Sequence, residues 1–329
     1  MKKSVKKLLN NKNKTIPILS FPSTELLGIS VNELISSADM QVKGMQVICS
    51  RFNVGASLNM MDLSVEAEAF GAEVHFCDNE IPTVTKGVIT DLSQAQSVRV
   101  PKIGDGRTGI YIEGVKKAKE SIKDIPVFCG VIGPYSLAVR IFDMTELMMG
   151  CFDSPEDVKV LVSKTTKFIT EYIKAFKEVG ADGVIIAEPA AGLLSPDLAD
   201  EFSNCFVKEI IDSVNDENFI VCYHNCGNSA GDMISSLCSI GADILHFGNA
   251  VDLVPILEKA HRDIVIMGNL DPVLFSTGTP EKIEEELVRI FSSCSKFDNF
   301  MISSGCDIPA NAKIDNLDTY FKKVNEFYA

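Results

Sequence analysis

The feature that most constrains the fold of this chain is a repeated alternation of short apolar runs with longer amphipathic stretches of helical periodicity. Several of the runs are continuously apolar, which is typical of parallel strands that are covered on both faces. Repeated strand–helix units over this length favour a closed (β/α)8 TIM barrel over an open, doubly wound sheet. The eight predicted strands are Ile16–Ser20, Ala72–Cys77, Val127–Ile132, Gly183–Ala187, Phe219–Tyr223, Asp243–Phe247, Ile264–Met267 and Asn299–Ser303.

Helix boundary signals recur at matching points of this alternation. Ser154, Ser195 and Thr279 each precede a proline and then an acidic residue, the pattern of a capping hydroxyl followed by a first helical turn. Gly180 and Gly241 each precede Ala-Asp and the next apolar run, and glycine supplies the left-handed turn that ends a helix. Roughly the first 120 residues are less regular, so we expect insertions there within a single domain spanning residues 1–329.

Composition excludes several classes of protein. The net charge of −14 and the pI of about 4.8 make nucleic acid and anionic membranes poor partners. No apolar stretch approaches the roughly 18 residues that span a bilayer, so we expect no membrane insertion. The basic segment Met1–Leu9 lacks the apolar core of a signal peptide and predicts a solvated first helix. Ten cysteines without the framework of a small secreted domain fit a reducing compartment, and we expect a cytoplasmic protein.

Three residues at predicted strand ends form a candidate metal site. His224 and Cys226 follow the fifth predicted strand, and Cys306 follows the eighth. His-x-Cys in an extended segment directs both side chains to the same face. One imidazole and two thiolates suit Zn²⁺, and three protein ligands leave a coordination position open, as catalytic zinc sites do. Because the strand carboxyl ends of such a barrel share one rim, we predict a zinc site there.

The other cysteines favour a simpler interpretation. Free cysteine is often a buried small apolar residue, and eight of the ten cysteines have no partner at ligand spacing. We interpret these as packing residues: Cys49, Cys77, Cys129, Cys151, Cys205, Cys222, Cys238 and Cys294. His224 and Cys226 differ from them because they stand in a polar segment, Asn-Cys-Gly-Asn-Ser, at a strand end.

Four blocks of sequence carry a resemblance to the uroporphyrinogen decarboxylase superfamily. They are Gly130–Leu137, Gly183–Pro196, Gly268–Pro272 and Ser303–Pro309. The chain resembles in particular the zinc-dependent methylcobamide:thiol methyltransferases, typified by the methylcobamide:coenzyme M enzymes. The first three blocks are common to the decarboxylase and methyltransferase branches, so by themselves they indicate only the superfamily and its barrel fold.

The branch is indicated by His-x-Cys followed about eighty residues later by a cysteine. The family's zinc ligands carry over to His224, Cys226 and Cys306. The decarboxylase branch is disfavoured because its arginine-rich amino-terminal motif is missing, and the corresponding region reads Phe21–Leu27. A substrate that bears eight carboxylates calls for convergent arginines, which this chain does not provide.

The resemblance implies a methyl transfer between a methylcobamide on a partner corrinoid protein and a small thiol such as coenzyme M. Zinc would hold the thiol as a reactive thiolate. A donor-side enzyme, which methylates the corrinoid protein from a methylated substrate, would use the same ligand set. Two further alternatives are a metal-free decarboxylase and a non-catalytic barrel with structural zinc or a corrinoid-binding role.

Other polar residues on the predicted rim have supporting roles. Glu188 and Asp307 are candidates to orient the ligands or to supply a labile fourth ligand, and the alternative is a structural rim carboxylate bound to loop amides. Asn269 and Asp271 are interpreted as a structural turn. The Gly104–Arg107 loop lacks the fingerprint of a phosphate site, so we predict an ordinary turn there.

Overall fold

The computed structural model describes residues 1–11 and 15–329, and across these residues it contains nine strands. In chain order they are β1 Ser57–Leu58, β2 Glu73–His75, β3 Thr83–Lys86, β4 Val127–Ile132, β5 Gly183–Ala187, β6 Ile220–Asn225, β7 Ile244–Phe247, β8 Val265–Leu270 and β9 Phe300–Ser304. Seven of these form one parallel sheet in the order β1-β4-β5-β6-β7-β8-β9, and β2 pairs with β3 in a separate hairpin.

Helices follow most strands of the sheet. The α-helices of the described residues are α1 Lys3–Leu9, α2 Ser23–Leu27, α3 Val31–Ile35, α4 Ala38–Arg51, α5 Val65–Phe70, α6 Thr108–Ser121, α7 Pro134–Ile141, α8 Met144–Asp153, α9 Pro155–Glu178, α10 Pro196–Ala199, α11 Cys205–Val214, α12 Ile234–Leu237, α13 Leu253–Lys259, α14 Val273–Thr277, α15 Pro280–Cys294 and α16 Ile314–Tyr328. Three of the predicted starts are confirmed, because α9, α10 and α15 each begin with the expected proline. The Ser195 and Thr279 side chains accept the predicted capping hydrogen bonds.

The segment after Thr15 closes the sheet into a barrel. Thr15 forms a parallel bridge with Ile302 of β9, and its carbonyl accepts a hydrogen bond of 2.7 Å from the Gly55 amide, just before β1. The Ile16–Ser20 segment therefore occupies the eighth barrel position. It is not a regular strand, because Pro17 has no amide hydrogen to donate to a ladder. The (β/α)8-type fold class is confirmed, with seven regular strands and this irregular eighth segment.

Hydroxyl groups replace the missing ladder bonds of this segment. The Ser303 hydroxyl donates to the carbonyl of Ile16 at 2.9 Å, and the Ile18 amide donates to the Ser304 hydroxyl at 3.1 Å. The segment is consequently held against β9 by side chains instead of by backbone pairs alone.

The prediction of a barrel strand at Ala72–Cys77 is wrong. Glu73–His75 pairs antiparallel with Thr83–Lys86, outside the barrel sheet, and its residues are exposed or half-buried. The barrel position belongs to Ser57–Leu58, which is too short to give a sequence pattern. The remaining six predicted strands are confirmed, with boundaries that agree to within three residues.

Alternation along the strands divides the apolar residues into two cores. One face of the seven-stranded sheet packs against the surrounding helices, and the other fills the barrel. The interior core contains Ile16, Ile18, Leu58, Phe128, Ile185, Ala187, Cys222, Ile244, Val265, Met267 and Met301. Val5 and Leu8 of α1 belong to the same core, so this helix covers one end of the barrel.

The packing interpretation of the eight cysteines is confirmed for part of the set. Cys129, Cys151, Cys222 and Cys294 are buried, and Cys49 and Cys238 are half-buried. The interpretation is wrong for Cys205, whose side chain is exposed. Cys77 lies half-buried beyond the β2 strand, where its sulfur is 3.2 Å from His75 Nε2.

The helices of the described residues include none with the length and apolar character needed to cross a bilayer. The longest of them, α9, is amphipathic and packs one face on the sheet.

The barrel interior predicts a large cost for truncating Phe128. This side chain is 1% exposed and belongs to the interior core, so Phe128→Ala should lower the free energy of unfolding by about 3–5 kcal/mol. Urea unfolding followed by circular dichroism measures the change. Val288→Ala on α15, where the side chain is 57% exposed, is the control and should change stability by less than about 0.5 kcal/mol. Equal effects of both substitutions would contradict the assignment of Phe128 to the core.

Candidate metal centre

His224 lies inside the barrel near the carboxyl end of β6. Its side chain is only 2% exposed, and it is aligned with His246 of β7 in the parallel register. Strand alternation places His224 on the same face as Cys222, which belongs to the interior core. Cys226 follows directly after the strand and remains half-buried. The predicted geometry of His-x-Cys at a strand end is therefore present.

Cys306 lies beside this pair although it follows a different strand. It stands two residues after β9, and its Sγ is 3.5 Å from His224 Nε2. One ligand atom from each of His224, Cys226 and Cys306 lies within 4.8 Å of the other two. Zinc bonds of typical length in a tetrahedron separate sulfur from nitrogen by about 3.6 Å. The three atoms are therefore spaced closely enough to share one ion.

The two sulfurs differ strongly in their affinity for a proton. The pKa of Cys226 falls to about 4, because Cys306 and then His224 supply hydrogen bonds to its thiolate. The same contact raises the pKa of Cys306, and burial adds to that rise. The pair thus holds one proton between two sulfurs, and a divalent cation placed there would displace it.

His246 connects the two ligand-bearing strands and was missed by the sequence analysis. Its ring contacts that of His224 at a tilt of 35°, with a centroid separation of 4.6 Å. Its Nε2 is 2.7 Å from the carbonyl oxygen of Ser304, so this nitrogen carries the hydrogen and donates it. Burial, followed by the charge of His224, holds the pKa of His246 well below its usual value. A histidine in the otherwise apolar run Ile-Leu-His-Phe was the available signal.

Two cavities meet at Cys226. The smaller has a volume of about 130 Å³ and is lined by His224, Cys226, Cys306 and Asp307 together with Pro189 and apolar neighbours. The larger has a volume of about 610 Å³, and Cys226 and Pro189 line it as well. Cys226 therefore lies between a small apolar recess and an open cavity of the size that accepts small molecules.

Glu188 is fully buried, and its carboxylate lies against the first turn of α7. It accepts hydrogen bonds from the amides of Ser136 at 2.6 Å and Tyr135 at 3.1 Å. A Cβ at Gly133 would approach the Glu188 carboxylate to 2.3 Å, so glycine is required there. Burial raises the pKa of Glu188 to about 7 despite these hydrogen bonds. Its own amide donates to the carbonyl of His224 at 2.8 Å, which connects it to the ligand strand through the backbone.

Asp307 faces the smaller cavity beside Cys306. Among the described residues its Oδ1 has no hydrogen-bond partner, and burial raises the pKa of the carboxyl well above its usual value. Asp62 contributes to this rise through charge repulsion. A buried carboxylate oxygen without a partner is costly, and a nearby cation would relieve that cost.

Asp62 and Arg107 form a buried ion pair that the sequence analysis missed. Arg107 contacts the Asp62 carboxylate directly and also donates to Glu68 at 2.6 Å, while the Tyr111 hydroxyl donates to Asp62 at 2.9 Å. The Gly104–Arg107 segment contains the predicted turn, with positive φ at both glycines. Its arginine nevertheless points inward, and the aspartate in the apolar run Met-Met-Asp-Leu was the available signal.

The turn interpretation of Asn269 and Asp271 agrees with their contacts. The side-chain amide of Asn269 donates from Nδ2 to the carbonyls of Gly248 at 2.9 Å and Val251 at 2.8 Å. Asp271 accepts a hydrogen bond of 2.9 Å from the Val273 amide, two residues later. Both side chains are therefore occupied in holding loops of the rim.

The chain belongs to the uroporphyrinogen decarboxylase (URO-D) family, whose model matches residues 19–327. A methylcobamide:CoM methyltransferase of Methanosarcina acetivorans is 28% identical over 261 residues, with 78% of this chain and 75% of that protein covered. The corresponding protein of Methanosarcina mazei is 29% identical over 238 residues, covering 70% and 69%. A uroporphyrinogen decarboxylase of Vesicomyosocius okutanii is 26% identical over 289 residues, covering 83% and 82%.

Comparison with solved structures agrees with the barrel fold. A methyltransferase from Methanosarcina mazei superimposes with a TM-score of 0.88 at 22% identity, covering 100% of this chain and 99% of that one. A B12-independent methionine synthase from Shewanella gives a TM-score of 0.55 at 14% identity, covering 93% and 86%. Methyl transfer is the class of reaction that the sequence relatives support, and this bears out the resemblance to the methyltransferase branch.

The burial of Glu188 predicts a measurable dependence of stability on pH. Its pKa rises from 4.5 in the unfolded chain to about 7 in the fold, so the folded state binds the proton more tightly. The protonated Glu188 carboxyl makes its full contribution to the free energy of unfolding below about pH 4.5. This contribution falls as the pH rises and is lost above about pH 7; it amounts to at most about 3 kcal/mol. Urea unfolding of the wild type and Glu188→Gln across pH 5–8 in metal-free buffer measures the difference.

We expect the wild type to lose stability over this interval relative to Glu188→Gln, whose side chain does not titrate. Glu285→Gln, at an exposed position on α15, is the control and should follow the wild-type curve. Parallel curves for Glu188→Gln and the wild type would show that the Glu188 carboxyl is not perturbed in the folded state.

Proposed function

We propose that the chain is a zinc-dependent methyltransferase that transfers a methyl group between a methylcobamide, carried by a partner corrinoid protein, and a small thiol such as coenzyme M. The observation that carries the proposal is the cluster of His224, Cys226 and Cys306 at the edge of an open cavity. The relatives named methylcobamide:CoM methyltransferases supply the reaction class. The barrel supplies a rim on which such a site is expected.

The chemistry of the donors fits zinc. One imidazole and two thiolates form a ligand set for this ion, and three protein ligands leave room for a substrate atom. The separation of 3.5 Å between Cys306 Sγ and His224 Nε2 is close to the tetrahedral value of about 3.6 Å. The pKa of Cys226 lies well below its usual value because Cys306 and His224 supply hydrogen bonds to its thiolate, and a thiolate is the form of cysteine that binds zinc.

Bound at this site, zinc would keep a substrate sulfur deprotonated at neutral pH. With both thiols deprotonated by the bound ion, Cys226 and Cys306 would supply two negative charges that balance its charge, so an additional substrate thiolate would retain its electron density. His224 contributes a neutral nitrogen ligand. The open cavity beside Cys226 would admit the thiol and align it for transfer.

The proposed transfer is a displacement at the methyl carbon. A sulfur lone pair forms the new carbon–sulfur bond while the cobalt–carbon bond breaks, and the electron pair of that bond stays on cobalt, which passes from cobalt(III) to cobalt(I). The thiol proton is released to solvent when the sulfur binds. The corrinoid carries the difficult chemistry, and the protein contributes positioning and activation of sulfur.

Two carboxylates have proposed supporting roles. Asp307 is the candidate for a labile fourth ligand, because its unpartnered Oδ1 lies in the same small cavity as the three ligands. Glu188 would position His224 through the backbone, since its amide binds the carbonyl of that residue and its side chain holds α7. Asp307 would thus act at the ion, and Glu188 at a distance from it.

The donor-side reaction uses the same ligands in the reverse chemical role. In that case a methylated substrate would bind beside Cys226 and methylate cobalt(I). Assays of methyl transfer from methylcobalamin to a panel of thiols distinguish the two directions. Turnover with a small thiol supports the proposed direction, whereas turnover only from a methylated donor to a cobalt(I) corrinoid supports the alternative.

Removal of any one proposed ligand should abolish zinc binding and transfer. We expect about one zinc per wild-type chain, and His224→Ala, Cys226→Ala and Cys306→Ala should each lose most of the metal. Their rates of methyl transfer should fall by more than about 100-fold, beyond the effect typical of residues outside the ligand set. Elemental analysis and a thiol-dependent methylcobalamin assay measure both quantities.

Cys238→Ala is the matched control, because this half-buried cysteine belongs to no ligand cluster among the described residues. It should retain full zinc and activity. Three ligand variants with undiminished zinc would refute the proposed site, and zinc loss without loss of transfer would refute its catalytic role.

His246 contacts both strands that carry the proposed ligands, so we expect its substitution to weaken zinc binding less than removal of a ligand does. His246→Phe should keep the ring contact with His224 but remove the hydrogen bond to Ser304. We expect zinc affinity to fall about 10- to 100-fold, the range for residues that orient ligands. Competition with a chromogenic chelator measures the affinity, and His246→Gln, which keeps an N–H donor, should recover part of it. Unchanged affinity in His246→Phe would assign this histidine to packing alone.

A further inference from the structure

Arg140 is a half-buried arginine without a charged partner on the wall of the larger cavity. It lies in the last turn of α7, among the residues that line the 610 Å³ space. Among the described residues, its guanidinium has no hydrogen bond or ion pair. Arg107, by contrast, is engaged by Asp62 and Glu68. A guanidinium has five donors in a fixed fork, and leaving them unused in a partly desolvated place is unfavourable.

Neither of the nearby acidic residues forms an ion pair with Arg140. Asp143 lines the same cavity, but its carboxylate accepts the Glu146 amide and caps α8. Asp62 attracts Arg140 electrostatically, yet its oxygens bind Arg107 and Tyr111. Lys86, the other cation on the wall, is paired with Glu73 at 3.0 Å. Arg140 is therefore the cavity cation whose hydrogen-bonding capacity remains free within the described residues.

The sulfur site and this cation share one cavity. Cys226 and Arg140 both line the 610 Å³ space, whose volume is that of a small-molecule site. A thiol whose sulfur approaches Cys226 would extend its other end along the wall that α7 forms. A guanidinium at that wall selects an acidic group with two or more oxygens, because its parallel N–H bonds match them.

We propose that Arg140 is the specificity-determining residue that binds the anionic group, a sulfonate or a carboxylate, of the substrate thiol. The placement of the substrate sulfur rests on the proposed function, but the anion site stands on the cavity and the unpaired guanidinium. A competing explanation is that Arg140 serves only the carboxyl-terminal end of the α7 helix dipole. That role would leave the choice of thiol unaffected.

Steady-state methyl transfer from methylcobalamin tests the selectivity. For 2-mercaptoethanesulfonate, Arg140→Gln should raise KM about 10- to 100-fold and change kcat by less than about threefold, because charge-assisted hydrogen bonds are lost in binding. The KM for 2-mercaptoethanol, which has no charge, should stay within about twofold. Arg140→Lys keeps the charge without the fork and should raise the KM of the anionic thiol by a smaller factor.

Lys86→Gln is the matched control, since it removes the other cation from the same cavity wall. It should leave the KM values of both thiols unchanged. Equal shifts for the anionic and the neutral thiol in Arg140→Gln would overturn the proposal, and so would an effect of Lys86→Gln as large as that of Arg140→Gln. Thermal unfolding confirms that the variants are folded; if Arg140→Gln is not, the ratio of the two KM values in Arg140→Lys decides.

A binding experiment separates this inference from the proposed reaction. Ethanesulfonate has the anion but no sulfur nucleophile, and its binding to zinc-free protein is followed by NMR titration. The wild type and Lys86→Gln should bind it, and Arg140→Gln should bind at least about tenfold more weakly. Such a result supports the anion site even if no thiol is methylated. Identical binding by wild type and Arg140→Gln, or no binding by the wild type, would overturn it.

Discussion

The proposed site depends on the curvature of the parallel sheet. His224 and Cys226 belong to the end of β6 and Cys306 to the end of β9, and β7 and β8 lie between these strands. In a flat sheet with strands about 4.8 Å apart, three steps would separate the two ends by about 14 Å. In the barrel, the Cys306 sulfur is instead 3.5 Å from His224 Nε2. The ligand set therefore exists only because the sheet curls and the loops turn inward over its end.

The contacts around the site stabilise this curled arrangement at the strand ends. His246, on the intervening strand β7, contacts the His224 ring and donates a hydrogen bond to the carbonyl of Ser304 at the end of β9. Glu188 anchors the first turn of α7 while its amide binds β6. Because α7 also carries Arg140, the same helix that Glu188 holds at its beginning presents the free guanidinium at its end. The position of the proposed anion site relative to the candidate sulfur ligands therefore depends on α7.

Much of this architecture could be predicted from the sequence, and the failures have physical causes. Continuous apolar runs identified β4 to β9, and the polar His-x-Cys segment indicated two of the candidate ligands, because both are local patterns. Ile16–Ser20 occupies the expected barrel position, but Pro17 prevents a regular ladder. Ala72–Cys77 has apolar residues that pack in a peripheral hairpin instead. A histidine in the apolar run Ile-Leu-His-Phe was a signal for His246, but its contact with His224 and the unpaired guanidinium of Arg140 are properties of the assembled barrel.

Zinc K-edge X-ray absorption spectroscopy of the purified protein directly tests whether one imidazole and two cysteine sulfurs bind the ion. A zinc ion bound by His224, Cys226 and Cys306 should have two sulfur neighbours at about 2.3 Å and a histidine nitrogen at about 2.0–2.1 Å. Addition of a substrate thiol should increase the sulfur shell from two to three. A coordination shell of nitrogen and oxygen alone would contradict the proposed zinc site. A number of sulfur neighbours that stays the same when thiols are added would contradict the proposed binding of the substrate.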